Sequence, residues 1–115
     1  MNVGRRMAIR QRVVDHIRLL AHPSEQLEYE KNVPIADVPA ELVCGFCDDL
    51  YDPESVAFVE SFSEVELKRL AELYGLLAVA AREDVHSVAE LRQSPPWRAV
   101  MDLAKQLHDH YARSA

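Results

Sequence analysis

Threonine is absent from these 115 residues, glycine occurs three times and cysteine twice. Each scarcity excludes something. Valine and isoleucine never alternate with polar residues for long, and threonine is missing, so strand content is expected near zero. Three glycines leave no Gly-rich phosphate loop, and neither G-x-S-x-G nor H-E-x-x-H is present. The carboxylates do not supply the repeated Glu-x-x-His pairs of di-iron bundles. No apolar run approaches the length of a membrane span or resembles the core of a signal peptide. Two cysteines without a secretion signal point to a reduced, cytoplasmic protein. The Arg-rich, amphipathic N-terminus has the look of a mitochondrial presequence, but Asp15 and the scarcity of serine oppose that.

What is present is charge, unevenly spread. The formal net charge is −6. Residues 1–23 hold five arginines and one aspartate, a balance of +4. Residues 24–66 hold twelve acids and only Lys31, a balance of −11. The remainder is nearly neutral, at +1. So acidic a middle repels nucleic acid and attracts basic partners.

The apolar pattern is helical throughout and predicts one all-α domain over residues 1–115. We expect a bundle of five or six helices, with long ones near 5–22, 63–82 and 95–112. In the first, Ile9, Val13, Ile17 and Leu20 make a stripe, and its arginines scatter around the remaining surface. Arg5 and Arg12 lie together, and the arginines are expected to meet the acidic segment within the fold. Tyr29, Val33 and Ile35 are expected to pin the following segment, where Ser24 caps a short turn ended by Pro34. Residues 38–51 read as a helix capped by Asp37 or Val38, with Pro39 in its first turn. Gly45 interrupts it and points to close packing or local irregularity. In residues 54–62, Phe58, Val59 and Phe62 are expected to face inward.

Residues 62–82 carry the strongest helix signal. Ser63 and Glu66 form a capping box, flanked by Phe62 and Leu67 as a staple. Leu67, Leu70, Ala71, Tyr74, Leu77, Ala78 and Ala81 recur as one face. The second half is apolar on every side, which marks a helix covered on more than one side, the centre of the bundle. Ser87 and Glu90 suggest a second capping box. The last helix repeats the central pattern through Trp97, Val100, Met101, Ala104, Leu107, His108 and Tyr111, so the two are expected to be antiparallel neighbours.

Three constellations carry candidate chemistry. Cys44-Gly45-Phe46-Cys47 is a C-x-x-C string suited to disulfide exchange if one thiol has a lowered pKa. It lacks the preceding strand of thioredoxins. It is more similar to the helical C-x-x-C of alkylhydroperoxidase-type reductases, with Glu41 ahead of it. The histidine that family places after its second cysteine is replaced here by Leu50 and Tyr51. The bland alternative treats both cysteines as small buried apolar side chains. For zinc, His86, about 40 residues away, or His108 with His110, about 60 away, would have to complete the set, without the compact second ligand pair of finger-like sites, so no metal and no cofactor is expected. His108 reads as a core residue; His16, His22, His86 and His110 read as exposed. The third constellation is acidic: Asp48, Asp49, Tyr51, Asp52, Glu54 and Glu60. Read blandly it is a solvated face. Read as a site, its carboxylates steer a basic protein, which Tyr51 then anchors. Basic nucleases suit such a surface, because carboxylates mimic the phosphates they bind.

The strings Tyr29-Glu30, Val33-Pro34, Val38-Pro39-Ala40-Glu41-Leu42, Asp48-Asp49-Leu50-Tyr51 with Pro53, Phe62-Ser63 and Pro96-Trp97-Arg98 resemble a group of small bacterial helical proteins of unassigned function, over roughly residues 25–105. Cys44 and Cys47 are not part of that pattern. In size, acidity and helical content the chain is also similar to the immunity proteins that neutralise bacterial nuclease toxins, including those of contact-dependent inhibition systems. That likeness implies an intracellular, non-enzymatic protein-binding module with a basic protein as partner. The alternatives are a small thiol oxidoreductase using Cys44 and Cys47, or a structural homo-oligomer assembled through Trp97, Tyr51 or the last helix.

Overall fold

The computed structural model describes residues 3–114. The chain begins with α1 (Val3–Ala21) and α2 (Pro23–Asn32). Then α3 (Val38–Cys44) runs without a break into a π-helical turn (Gly45–Leu50). It continues through α4 (Val56–Glu60), α5 (Glu64–Ala80), α6 (Val88–Gln93) and α7 (Pro95–Ser114). No strand occurs among the described residues. The protein is all-α; five of the seven α-helices have at least seven residues, and α1, α5 and α7 are the three long ones.

The centre is α7, not α5. Trp97, Val100, Ala104, Leu107 and Tyr111 are all buried along it. It packs against α1, α5 and α6, whereas α5 touches mainly α7 and the π turn. Glu66 meets His110 and Arg69 meets Gln106, so α5 and α7 run antiparallel as expected. The inward face of α5 is turned from the expected one. It consists of Glu66, Leu70, Leu73, Leu77 and Ala80, while Ala71, Tyr74, Ala78 and Ala81 are exposed. An alanine-rich half-helix gives no strong periodic contrast, so the pattern alone did not fix its rotation. The core gathers α1 (Val13, Ile17, Leu20), Phe46, Phe58 and α6 (Val88, Leu91) around these two helices. Each fully buried leucine contributes about 1.5–3 kcal/mol relative to exposure.

The local signals are mostly realised. Asp37 caps α3, its side chain accepting from Ala40 N, with proline in the first turn. Ser55 caps α4. The Ser63–Glu66 capping box is complete. At Ser87 only half forms: its Oγ accepts from Glu90 N, but the Glu90 carboxylate bonds the Ser87 hydroxyl instead of the backbone. Pro23, preceded by His22 in extended geometry, starts α2 in place of Ser24. The expected pins of that segment are largely wrong. Ile35 is 97% exposed and Tyr29 is exposed, with its hydroxyl donating to Glu41. Gln26 holds α2 instead, donating to Leu19 O and Leu20 O at the end of α1. Those carbonyls lack helical partners, so a side-chain donor there satisfies them. Val59 is likewise exposed, while Phe58 and Phe62 are buried.

Candidate functional site

The site region is built on the π turn, and Gly45 explains its position. A Cβ on Gly45 would lie 2.7 Å from His16 Cε1, so glycine permits the close approach of α1. His16 donates from Nε2 to Leu42 O at 2.9 Å and stacks on Phe46. Burial lowers its pKa. It is therefore a packed group and not the exposed side chain expected. The turn closes with Tyr51 N bonded to Phe46 O at 2.8 Å, a five-residue step. Widening by one residue per turn re-aims the side chains that follow, and such turns are frequent at functional sites.

The re-aiming divides the expected acidic cluster. Cys44 lines one pocket with Ala80 and Ala81, and Tyr51 stacks near Tyr74, so α3 and the π turn lie alongside α5 in the opposite direction. Asp48, next to Cys44, belongs to this side. Asp49 and Asp52 instead line a cavity of about 160 Å³ with Arg5 and Arg12 of α1. The basic helix meets the acidic segment through Arg10–Glu66 and Arg18–Glu25, yet at this cavity no ion pair closes between Arg5 or Arg12 and Asp49 or Asp52. Glu54 and Glu60 are exposed and join neither group. Tyr51 is half-buried, stacked on Phe46 with its edge against Phe58. Its ring is already a packing element, so only part of it is open to a partner.

The acids of residues 24–66 fall into two kinds. Glu25 pairs with Arg18, Asp37 with His86, and Glu66 with Arg10 and His110. Glu30 accepts from Val88 N and Glu41 from the Tyr29 hydroxyl. These stitch the fold. Asp49, Asp52, Glu54, Glu60 and Glu64 form no ion pair among the described residues and are exposed. Glu28 on α2 is also exposed and unpaired; the rest of the unconsumed charge runs from the π turn to the start of α5.

The strongest internal site is one the sequence did not announce. Glu66 is 6% exposed in its side chain and accepts from Arg10 at 2.7 and 2.8 Å. It also accepts from Ser63 N and from His110 Nε2. The Arg10 guanidinium, more than any other contact, holds its carboxyl down at about 2. Arg10 lies over the rings of Tyr111 and Phe62 as well, at 4.9 and 5.6 Å, a cation–π arrangement. The capping box was visible in the sequence; that the same glutamate ties α1 to α7 was not. His110 is accordingly half-buried and bonded, contrary to its expected exposure.

The cysteines are placed poorly for redox work. Cys44 is exposed and Cys47 half-buried, and both are free thiols. Cys44 therefore departs from the buried apolar reading. Desolvation and the neighbouring Asp48 carboxylate push Cys44 up, and burial, then Asp48, pushes Cys47 up to about 11. A reactive thiol needs the opposite shift. Cys44 and His86 do line one pocket, but no group of three or more metal-ligating side chains converges among the described residues. His108 is half-buried on the inward stripe of α7, edge-on to His22.

The chain matches no known protein family, no curated protein and no solved structure. No helix among the described residues is long and apolar enough to cross a membrane.

Proposed function

We propose that this chain is a protein-binding module that engages a basic partner through the acidic surface from the π turn to α5. Its most concrete form is an immunity- or antitoxin-like protein of the bacterial cytoplasm that occludes a basic nuclease toxin, with no reaction of its own. The observation that carries this is the contrast within one segment. Glu25, Glu30, Asp37, Glu41 and Glu66 are used inside the fold, while Asp49, Asp52, Glu54, Glu60 and Glu64 are exposed and unpaired. Unpaired like charges destabilise a compact state, and a partner that neutralises them is steered to the surface at a raised on-rate. Tyr51 and Tyr74, with ring centroids 5.1 Å apart, supply the aromatic part of the contact.

The experiment is a kinetic one. With the captured partner immobilised, charge reversal at Asp48, Asp49 and Asp52 slows association at least tenfold at low salt, roughly as expected for lost steering. The difference shrinks as salt screens the surface beyond about 10 Å. Unchanged association kinetics at low salt would refute the assignment.

A further inference from the structure

The pocket between α3, the end of α5 and the start of α7 has a composition the acidic-surface reading does not require. Its volume is about 220 Å³. Pro39, Val43, Ala80, Val85 and Trp97 wall it, and Asp37, Glu83 and His86 stand at its edge. No lysine or arginine lines it. His86 Nδ1 lies 2.7 Å from Asp37 Oδ2, and Nε2 lies 2.7 Å from Asp84 Oδ1. Carboxylates only accept here, so both ring nitrogens carry protons and the ring is an imidazolium. Of the two carboxylates that line the pocket it pairs with Asp37, which also accepts from Ala40 N; Glu83, 3.5 Å from the Ser94 hydroxyl, leaves the lining a surplus charge of −1. Glu83 and His86 do form a Glu-x-x-His string, but it lies in the turn after α5, without the helical spacing of a di-iron site.

We propose that this pocket takes the aliphatic stem and cationic head of a lysine or arginine side chain. The apolar walls cover the methylenes and the surplus Glu83 carboxylate holds the head. A bare metal ion finds no convergent ligand set here, an anion is repelled, and a neutral apolar guest leaves the Glu83 charge unmatched. The source of the side chain rests on the basic partner proposed above; the chemistry of the pocket does not.

The test uses the full chain and small probes at physiological salt, followed by NMR at the indole N–H of Trp97, the single tryptophan. Butylammonium and butylguanidinium are expected to give saturable shifts at millimolar concentration, and butanol little or none. N-acetyl-lysine N-methylamide reproduces the shift if a protein side chain is the guest. If butylammonium shifts the signal and the lysine derivative does not, the same chemistry comes from a free amine. Glu83→Gln is expected to weaken the cations about three- to fivefold. Neutralising Asp49 and Asp52, which line a different cavity, leaves them unchanged. Equal response to butanol, or equal weakening by Asp49→Asn with Asp52→Asn, overturns the proposal, as does the absence of any saturable shift. Cation binding without a captured basic protein would leave the pocket standing and remove the partner. Capture without cation binding would do the reverse.

Discussion

Glu66 and Asp52 come from the same acidic segment and have opposite fates. Glu66 is buried against Arg10, His110 and the Ser63 amide, joining α1, α5 and α7 at one point. Asp52 is exposed across a cavity from Arg5 and Arg12 without pairing to either. The segment's charge therefore has two uses. One part is cement, bonded and withdrawn from solvent. The other is surface, left unsatisfied by its own chain. A stability measurement should feel the first and a binding measurement the second.

The largest expected effect comes from removing the cement. Glu66→Ala leaves Arg10 and His110 without their carboxylate and opens the α5 cap. The loss should be about 3 kcal/mol, at the low end of a broken buried pair because Arg10 remains one-third exposed. Urea unfolding of the variant against wild type measures it. The same contrast appears with pH. The Glu66 carboxyl is depressed from 4.5 to about 2, so its contribution is complete above 4.5 and is lost as pH falls toward 2. Acid titration of stability should show that loss in wild type and not in Glu66→Gln.

Gly45 and Gly75 extend the comparison. Gly45→Ala should destabilise by about 1–3 kcal/mol, since the new Cβ meets His16 at 2.7 Å. Gly75→Ala, where an added Cβ meets nothing within 4 Å, should stabilise by about 0.5–1 kcal/mol through helix propensity. Thermal melts of both variants decide the signs. Two histidines separate in the same manner: His86, between two carboxylates, should titrate above 6.5, and buried His16 below it. For His86 the carboxylates' contribution is present below 6.5 and fades as pH rises through its raised value. For His16 stability falls as pH drops below 6.5, because the packed ring must charge. Ring-proton NMR reads both midpoints. The smallest effect is at the surface, where Asp52→Asn or Glu54→Gln should change stability by less than about 0.5 kcal/mol.

The three long helices, the Ser63 box and the Asp37 cap were legible because local rules determine them. Rotation and tertiary partners were not. The α5 face was misassigned because alanine carries little contrast between inside and outside. His16 and Gln26 gave no apolar signal, yet both are held by backbone carbonyls that only the packed fold brings near. The π turn was announced only by Gly45. Its consequence, placing Asp48 and Tyr51 beside α5 and Asp49 and Asp52 beside α1, depends on a hydrogen-bond step that composition does not encode. The acidic cluster was therefore legible as a stretch of sequence, and the structure divides it into two flanks.

The most direct measurement is a paired affinity capture from the native host's lysate at low salt. Wild type and the Asp48, Asp49, Asp52 charge-reversed variant serve as parallel baits, with quantitative mass spectrometry after a high-salt wash. The account predicts a basic protein held near stoichiometrically by wild type, weakened by salt and lost from the variant. Equal recovery on both baits, or no basic protein on either, would contradict it.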